Sequence, residues 1–100
     1  MTHDQKNISG LTPAELALVK NIIGDGFEAW VFGSRATGKH RAFSDLDICL
    51  KAPDRIADEA IASLRFAFQE SNLPYLVDIV DWSSIADDFK RKIERDAISI

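Results

Sequence analysis

Cysteine is almost missing from this sequence: Cys49 stands alone among 100 residues. It has no internal partner for a disulfide and makes no metal-binding pattern, so a buried, inert thiol is expected. Long apolar runs are missing too. None approaches the roughly 20 residues needed to cross a bilayer, so no contact with a membrane is expected. The stretch MTHDQKNISG contains no signal-peptide core, and a cytoplasmic location is the expectation. Basic charge is not in excess. A net charge of −4 leaves no broad basic face to release counterions from a phosphate backbone, so direct nucleic-acid binding is not expected. There is no repeat and no low-complexity tract. What is there is an ordinary globular composition, 46% hydrophobic and 28% charged, at a length that suits one core.

Local patterns divide the chain into alternating elements. Residues 1–11 read as a flexible N-terminus and residues 12–100 as one domain. Thr12, Pro13 and Glu15 spell a helix start with a capping box, and Leu16, Val19, Ile22 and Ile23 follow at helical spacing. FEAWVFG, Phe27 to Gly33, reads as a buried strand, and DLDICLK, Asp45 to Lys51, as a second. Asp54 is the expected cap of a helix whose Ala57, Ile61, Leu64 and Phe68 form an apolar stripe. YLVDIVD, Tyr75 to Asp81, is a third strand, and Ser83 or Ser84 is expected to cap a last helix presenting Ile85, Phe89 and Ile93. This α-β-β-α-β-α order predicts an α/β fold: a small mixed sheet with helices on one face. Strand directions should be mixed, because the loop between the first two strands is too short for a helical crossover. Trp30, Phe32, Phe66, Phe68 and Phe89 are expected in the core, Trp82 as a hydrophobic staple, and Tyr75 at a strand start.

The stretch from Gly33 to Lys39 nearly spells a Walker A phosphate loop, but its context forbids that reading. His40 stands where the magnesium-binding Ser or Thr belongs, and only RAF separates it from Ser44 and the next strand. The long helix that a P-loop opens cannot fit there. The two carboxylates that follow point to different chemistry. Asp45 and Asp47 are two residues apart on a strand, so they share a face, while Leu46, Ile48 and Leu50 take the other. Asp78 and Asp81 are three apart and face opposite ways. Val77 and Ile79 suit a helix-covered face, which assigns Asp78 to the open one and gives Asp81 a solvated or capping role at the strand end. Three carboxylates on neighbouring strands suit two Mg²⁺ ions, or Mn²⁺, which clamp both oxygens of an in-line phosphoryl displacement. Gly33 lets backbone N–H groups approach an anion, and Ser34 adds a hydroxyl. A short helix beginning at Ser34 would favour phosphate there as well. Arg35, Lys39, His40 and Arg41 lie close by in sequence as further cations.

Together these residues resemble the nucleotidyltransferase signature of the DNA polymerase beta superfamily: a strand ending in Gly-Ser, about ten residues, Asp-x-Asp, and a third Asp on a later strand. Here it is Gly33-Ser34, Asp45-Leu46-Asp47 and Asp78. The wider GSRATG…SDLDI pattern and the compact length are similar to the minimal nucleotidyltransferases (MNT proteins), over about residues 12 to 98. The resemblance implies a polymerase-beta-like catalytic core using ATP. Asp45, Asp47 and Asp78 would be its catalytic metal ligands, and Gly33, Ser34, Arg35 and Ser44 its nucleotide-binding residues. It also implies a partner, since MNT proteins often pair as antitoxins with small helical HEPN toxins and in some pairs add AMP to a toxin tyrosine. A non-catalytic antitoxin acting by complex formation, and adenylyl transfer to a small molecule with a separate helical subunit, are the alternatives.

Overall fold

Phe32 and Asp47 face each other across an antiparallel strand pair, and Asp47 faces Asp78 across a parallel one. The fold is what brings those pairings about. In the computed structural model, which describes residues 10–39, 41 and 44–100, the order is α1 (Pro13–Ile23), β1 (Glu28–Phe32), α2 (Ser34–Thr37), β2 (Leu46–Lys51), α3 (Asp58–Gln69) and β3 (Val77–Asp81). A 3₁₀ turn (Trp82–Ser84), α4 (Asp87–Asp96) and β4 (Ile98–Ser99) complete it. The sheet runs β3-β2-β1-β4. β1 and β2 are antiparallel because the connection carries a single helical turn; β2 and β3 are parallel because α3 makes the crossover. The mixed sheet is the one expected.

One face of that sheet makes the core. Ala29 and Val31 of β1, Leu46, Ile48 and Leu50 of β2 and Ile79 of β3 meet Val19 and Ile23 of α1 and Ile61 and Phe68 of α3. Each fully buried Ile or Leu in this layer contributes about 1.5–3 kcal/mol. α1 starts with the expected capping box: Glu15 N–H donates to Thr12 Oγ1, and Thr12 N–H donates to Glu15 Oε1, each at 3.1 Å. Leu11, assigned to the flexible segment, packs against the core; residues 1–9 lie outside the described residues. On the opposite face Phe89 of α4 meets Phe32 edge-on at 5.5 Å between ring centres. Cys49 is buried, its thiol pushed up to about 11 first by burial and then by the charge of Asp81.

Several local expectations are corrected. Asp54 does not cap α3, which begins four residues later behind Ala57 with no side-chain cap. Neither Ser83 nor Ser84 caps α4. Both lie in the 3₁₀ turn, and Ala86 precedes the helix, which leaves Ile85 outside it. Trp82 is no staple but lies beneath the ammonium groups of Lys51 and Lys90, at 5.1 and 5.5 Å from its ring centre. Phe66 is 63% exposed rather than in the core. The tail holds β4, where Ile98 pairs with Val31 and Ile100 N–H reaches Ala29 O at 3.0 Å. β3 is a sheet edge, and Arg65 Nη2 of α3 donates to its Ile79 carbonyl at 3.0 Å.

Asp81 does cap, but it is buried rather than solvated. Its carboxylate accepts from Ile56 N–H (3.0 Å), Ser83 N–H (3.0 Å) and Ser83 Oγ (2.9 Å). Burial pushes its pKa up, but the hydrogen bonds from Ser83, Ile56 and Ser84 outweigh it, and the net shift is downward. Asp81→Asn should therefore cost about 2 kcal/mol and lower the melting temperature by roughly 10 °C. Because the folded carboxyl is the stronger acid, its stabilisation is complete above the unfolded value of about 3.9 and fades as pH falls through the folded one. The gap in melting temperature between wild type and variant, followed by circular dichroism, should narrow below about pH 4.

Candidate active site

β1 ends at a turn that only glycine can make. Gly33 has φ +77° and ψ −154°, and a Cβ placed on it would collide with the Asp47 carboxylate. The turn and the acid are thus in direct contact across the β1–β2 pair. Ser34 opens α2 as expected, and a first-turn N–H has no carbonyl within its own helix to bond. These are the features that let a backbone receive a phosphate oxygen.

The parallel register sets Asp47 opposite Asp78, with Leu46 opposite Val77 and Ile48 opposite Ile79. Asp45 immediately precedes β2 on the same alternation, and the Leu46 N–H to Leu76 O bond of 2.9 Å extends the ladder to that end. All three acids therefore belong to the sheet face opposite the core. Asp47 is half-buried, Asp45 and Asp78 exposed. Burial, and then the charges of Asp78 and Asp45, raise the Asp47 carboxyl to about 6. The acids share a face and a field but not yet a contact. Among the described residues, no three His, Cys, Asp or Glu side chains stand close enough to hold a metal ion. The donor set fits hard divalent cations: oxygen only, with one acid already made reluctant to ionise.

Two residues expected to contact the nucleotide are engaged within the protein. Arg35 is 1% exposed. Its Nε and Nη2 donate to the Ser44 carbonyl at 3.1 and 3.0 Å, and its guanidinium lies 4.1 Å from the Tyr75 ring centre. Ser44 in turn accepts from Arg41 N–H through its Oγ at 2.7 Å. Both residues close the loop that delivers Asp45. Tyr75 is buried in the same assembly, and its hydroxyl donates to Glu15 Oε1 at 3.2 Å. Burial, then the Glu15 charge, pushes that phenol up to about 12. Arg35 and Tyr75 thus tie the α1 cap to the acidic motif. Sequence spacing held no signal for this, since Glu15 and Tyr75 are 60 residues apart. Lys39 and Arg41 are exposed; His40 lies outside the described residues.

One cleft borders the acids and another the glycine turn. One of about 610 Å³ is lined by Asp45 and Asp78 with Arg65, Phe68, Tyr75 and the exposed Leu76. The other, about 390 Å³, opens beside Gly33 and Ser34.

Asp47→Asn should stabilise the metal-free protein. A carboxyl raised in the folded state makes stability fall as pH rises from about 4 to about 6 and stay lower above that. Discounted for solvent screening, the relief is about 1 kcal/mol, a few degrees of melting temperature in EDTA at pH 7.5. Mg²⁺ should raise the wild-type melting temperature and leave that of the variant unmoved. Arg35→Lys, which keeps the charge but not the fork, should destabilise by about 2 kcal/mol in the same assay.

Comparison with known proteins gives this arrangement its family. Residues 27–100 match the model of the family described as polymerase beta, nucleotidyltransferase. A Haemophilus influenzae protein named probable protein adenylyltransferase MntA is 38% identical over 84 residues, 81% of this chain and 74% of its own. Among solved structures, a chain of a toxin–antitoxin crystallised with AMP-PNP superposes with a TM-score of 0.70 at 22% identity, over 89% of this chain and 72% of that one. A chain from a complex of tri-AMPylated Shewanella oneidensis HEPN toxin with MNT antitoxin gives 0.61 at 20% identity, over 86% and 66%. Among the described residues, no helix is long and apolar enough to cross a membrane. The chain belongs to the polymerase beta nucleotidyltransferase family.

Proposed function

We propose that the protein transfers AMP from ATP to a tyrosine hydroxyl of a small helical HEPN-type partner toxin, and so acts as its antitoxin. The observation that carries this reading is the contact between the Gly33 turn and Asp47, with Asp47 in register with Asp78. The 38% identity to a protein named as a protein adenylyltransferase supports it. Gly33 and Ser34 would receive the β- and γ-phosphates through backbone N–H groups and the Ser34 hydroxyl. Asp45 and Asp47 would hold two Mg²⁺ ions, and Asp78 one of them. Bound there, the ions would neutralise the charge of the triphosphate and of the acids together. The acceptor oxygen forms a bond to the α-phosphorus as the bond from that phosphorus to the bridging oxygen breaks. Pyrophosphate leaves with the bond's electrons, and the hydroxyl proton passes to Asp78 and on to water. The 610 Å³ cleft, bordered by Asp45, Asp78 and the exposed Leu76, is where the acceptor segment would approach. ATP as donor is consistent with work in the cytoplasm.

Incubation with labelled ATP, Mg²⁺ and a small helical HEPN-type protein should label that protein. Asp45→Asn combined with Asp47→Asn should cut labelling on the order of 10³-fold, the several kcal/mol that metal stabilisation supplies. Undiminished labelling by the double variant would rule the assigned metal site out. Neutralisation of the partner by the same variant without nucleotide would instead support an antitoxin that works by complex formation.

A further inference from the structure

Burying a guanidinium costs more desolvation than closing a loop requires. A well-packed apolar side chain of similar volume often serves stability as well as a buried charge, or better. Arg35 is nonetheless 1% exposed. What a guanidinium alone supplies is a planar fork, which fixes direction as well as distance. Three parts of the candidate site meet around that fork. Arg35 directly follows Ser34, so its backbone belongs to the glycine turn. Its Nε and Nη2 hold the carbonyl of Ser44, the residue before Asp45. Its plane lies against the ring of Tyr75, and Tyr75 leads through Leu76 and Val77 to Asp78.

Asp45 is the acid that needs such a hold. The β2–β3 register begins at Leu46 with Val77, so Asp45 stands outside the paired strand. Both peptide groups that flank it are nevertheless fixed. The carbonyl of the Ser44–Asp45 peptide accepts from Arg35 at 3.1 and 3.0 Å. The N–H of the Asp45–Leu46 peptide donates to Leu76 O at 2.9 Å. Each peptide is planar, so fixing both leaves the direction of the Asp45 side chain from its backbone little freedom. The two anchors converge on neighbouring residues, Tyr75 under the guanidinium and Leu76 at the N–H. The same short segment that carries Asp78 thus sets the place of Asp45.

We infer that Arg35 is a positioning residue for the divalent cation. Acting through the Ser44 carbonyl and the Tyr75 ring, it sets where Asp45 stands relative to Asp47 and Asp78, and with that the affinity of the acids for the metal. The inference rests on the reading of those acids as metal ligands. It gives Arg35 no contact with the ion or the reacting atoms, and an effect on metal binding beyond its contribution to stability. Outer groups that orient metal ligands commonly change affinity by roughly 10- to 100-fold.

The test is titration of the full chain with Mn²⁺ in the absence of nucleotide, the free ion being followed by electron paramagnetic resonance. The temperature is one at which circular dichroism shows every variant folded. Arg35→Lys should weaken Mn²⁺ by about tenfold. Asp81→Asn, expected to lower the melting temperature by a similar amount, is the stability control, because its carboxylate binds Ile56 and Ser83 instead. It should bind Mn²⁺ as wild type does. Tyr75→Phe keeps the ring beneath the guanidinium and should also bind normally. Tyr75→Leu removes the ring and should weaken Mn²⁺ in the same direction as Arg35→Lys, which keeps the test open if the lysine variant does not fold. Wild-type affinity in Arg35→Lys or Tyr75→Leu, or an equal loss in Asp81→Asn, would overturn the positioning role. The metal site itself survives that result if Asp45→Asn still weakens the ion. A wild-type protein that binds Mn²⁺ no better than Asp45→Asn combined with Asp47→Asn would overturn both.

Discussion

The parallel pairing of β2 with β3 is the constraint on which the rest depends. Leu46, Ile48 and Leu50 alternate into the core beside Ile79, all fully buried, and this fixes the register. A slip of one residue would turn Asp47 into the apolar layer and Ile48 out to water. The cost of that exchange, several buried aliphatic groups and a desolvated carboxylate, is far larger than the repulsion between Asp47 and the neighbouring acids. The core therefore forces like charges together that would otherwise separate. Burial first, and then the charges of Asp78 and Asp45, raise the Asp47 carboxyl, and a divalent cation is the chemical means of relieving the repulsion.

A second set of contacts transmits order from the scaffold to the loop. Glu15 closes the α1 cap and also accepts from Tyr75; Tyr75 lies against Arg35; Arg35 grips the carbonyl of Ser44, next to Asp45. A buried guanidinium needs its partners in place, so the loop is held by the same forces that make its burial tolerable. The exposed carboxylate at its end is then delivered by a rigid support rather than by the loop itself.

Much of this was legible in the sequence because it follows from short-range rules. The capping box at Thr12, the shared face of Asp45 and Asp47, the opposite faces of Asp78 and Asp81, and the failure of the Walker pattern all rest on spacing within a few residues. The rest depended on distant partners. Arg35 reads as a surface cation until Tyr75 and Ser44 surround it. Asp54, Ser83 and Ser84 are good caps by type, yet tertiary packing starts α3 and α4 elsewhere, and Ser83 is drawn instead to the buried Asp81. β4 has two residues and so no period to detect; it exists because β1 offers an unpaired edge. Phe66 follows the composition of a core residue but faces away from it on α3.

The Arg65 guanidinium on the outer carbonyl of β3 has a consequence for association. Bare sheet margins invite a foreign strand to zip on, and a bulky cation planted on one obstructs that route. A polypeptide arriving at the acidic face would thus have to be recognised through its side chains, such as by the protruding Leu76. The same obstruction would oppose polymerisation of the chain through that margin.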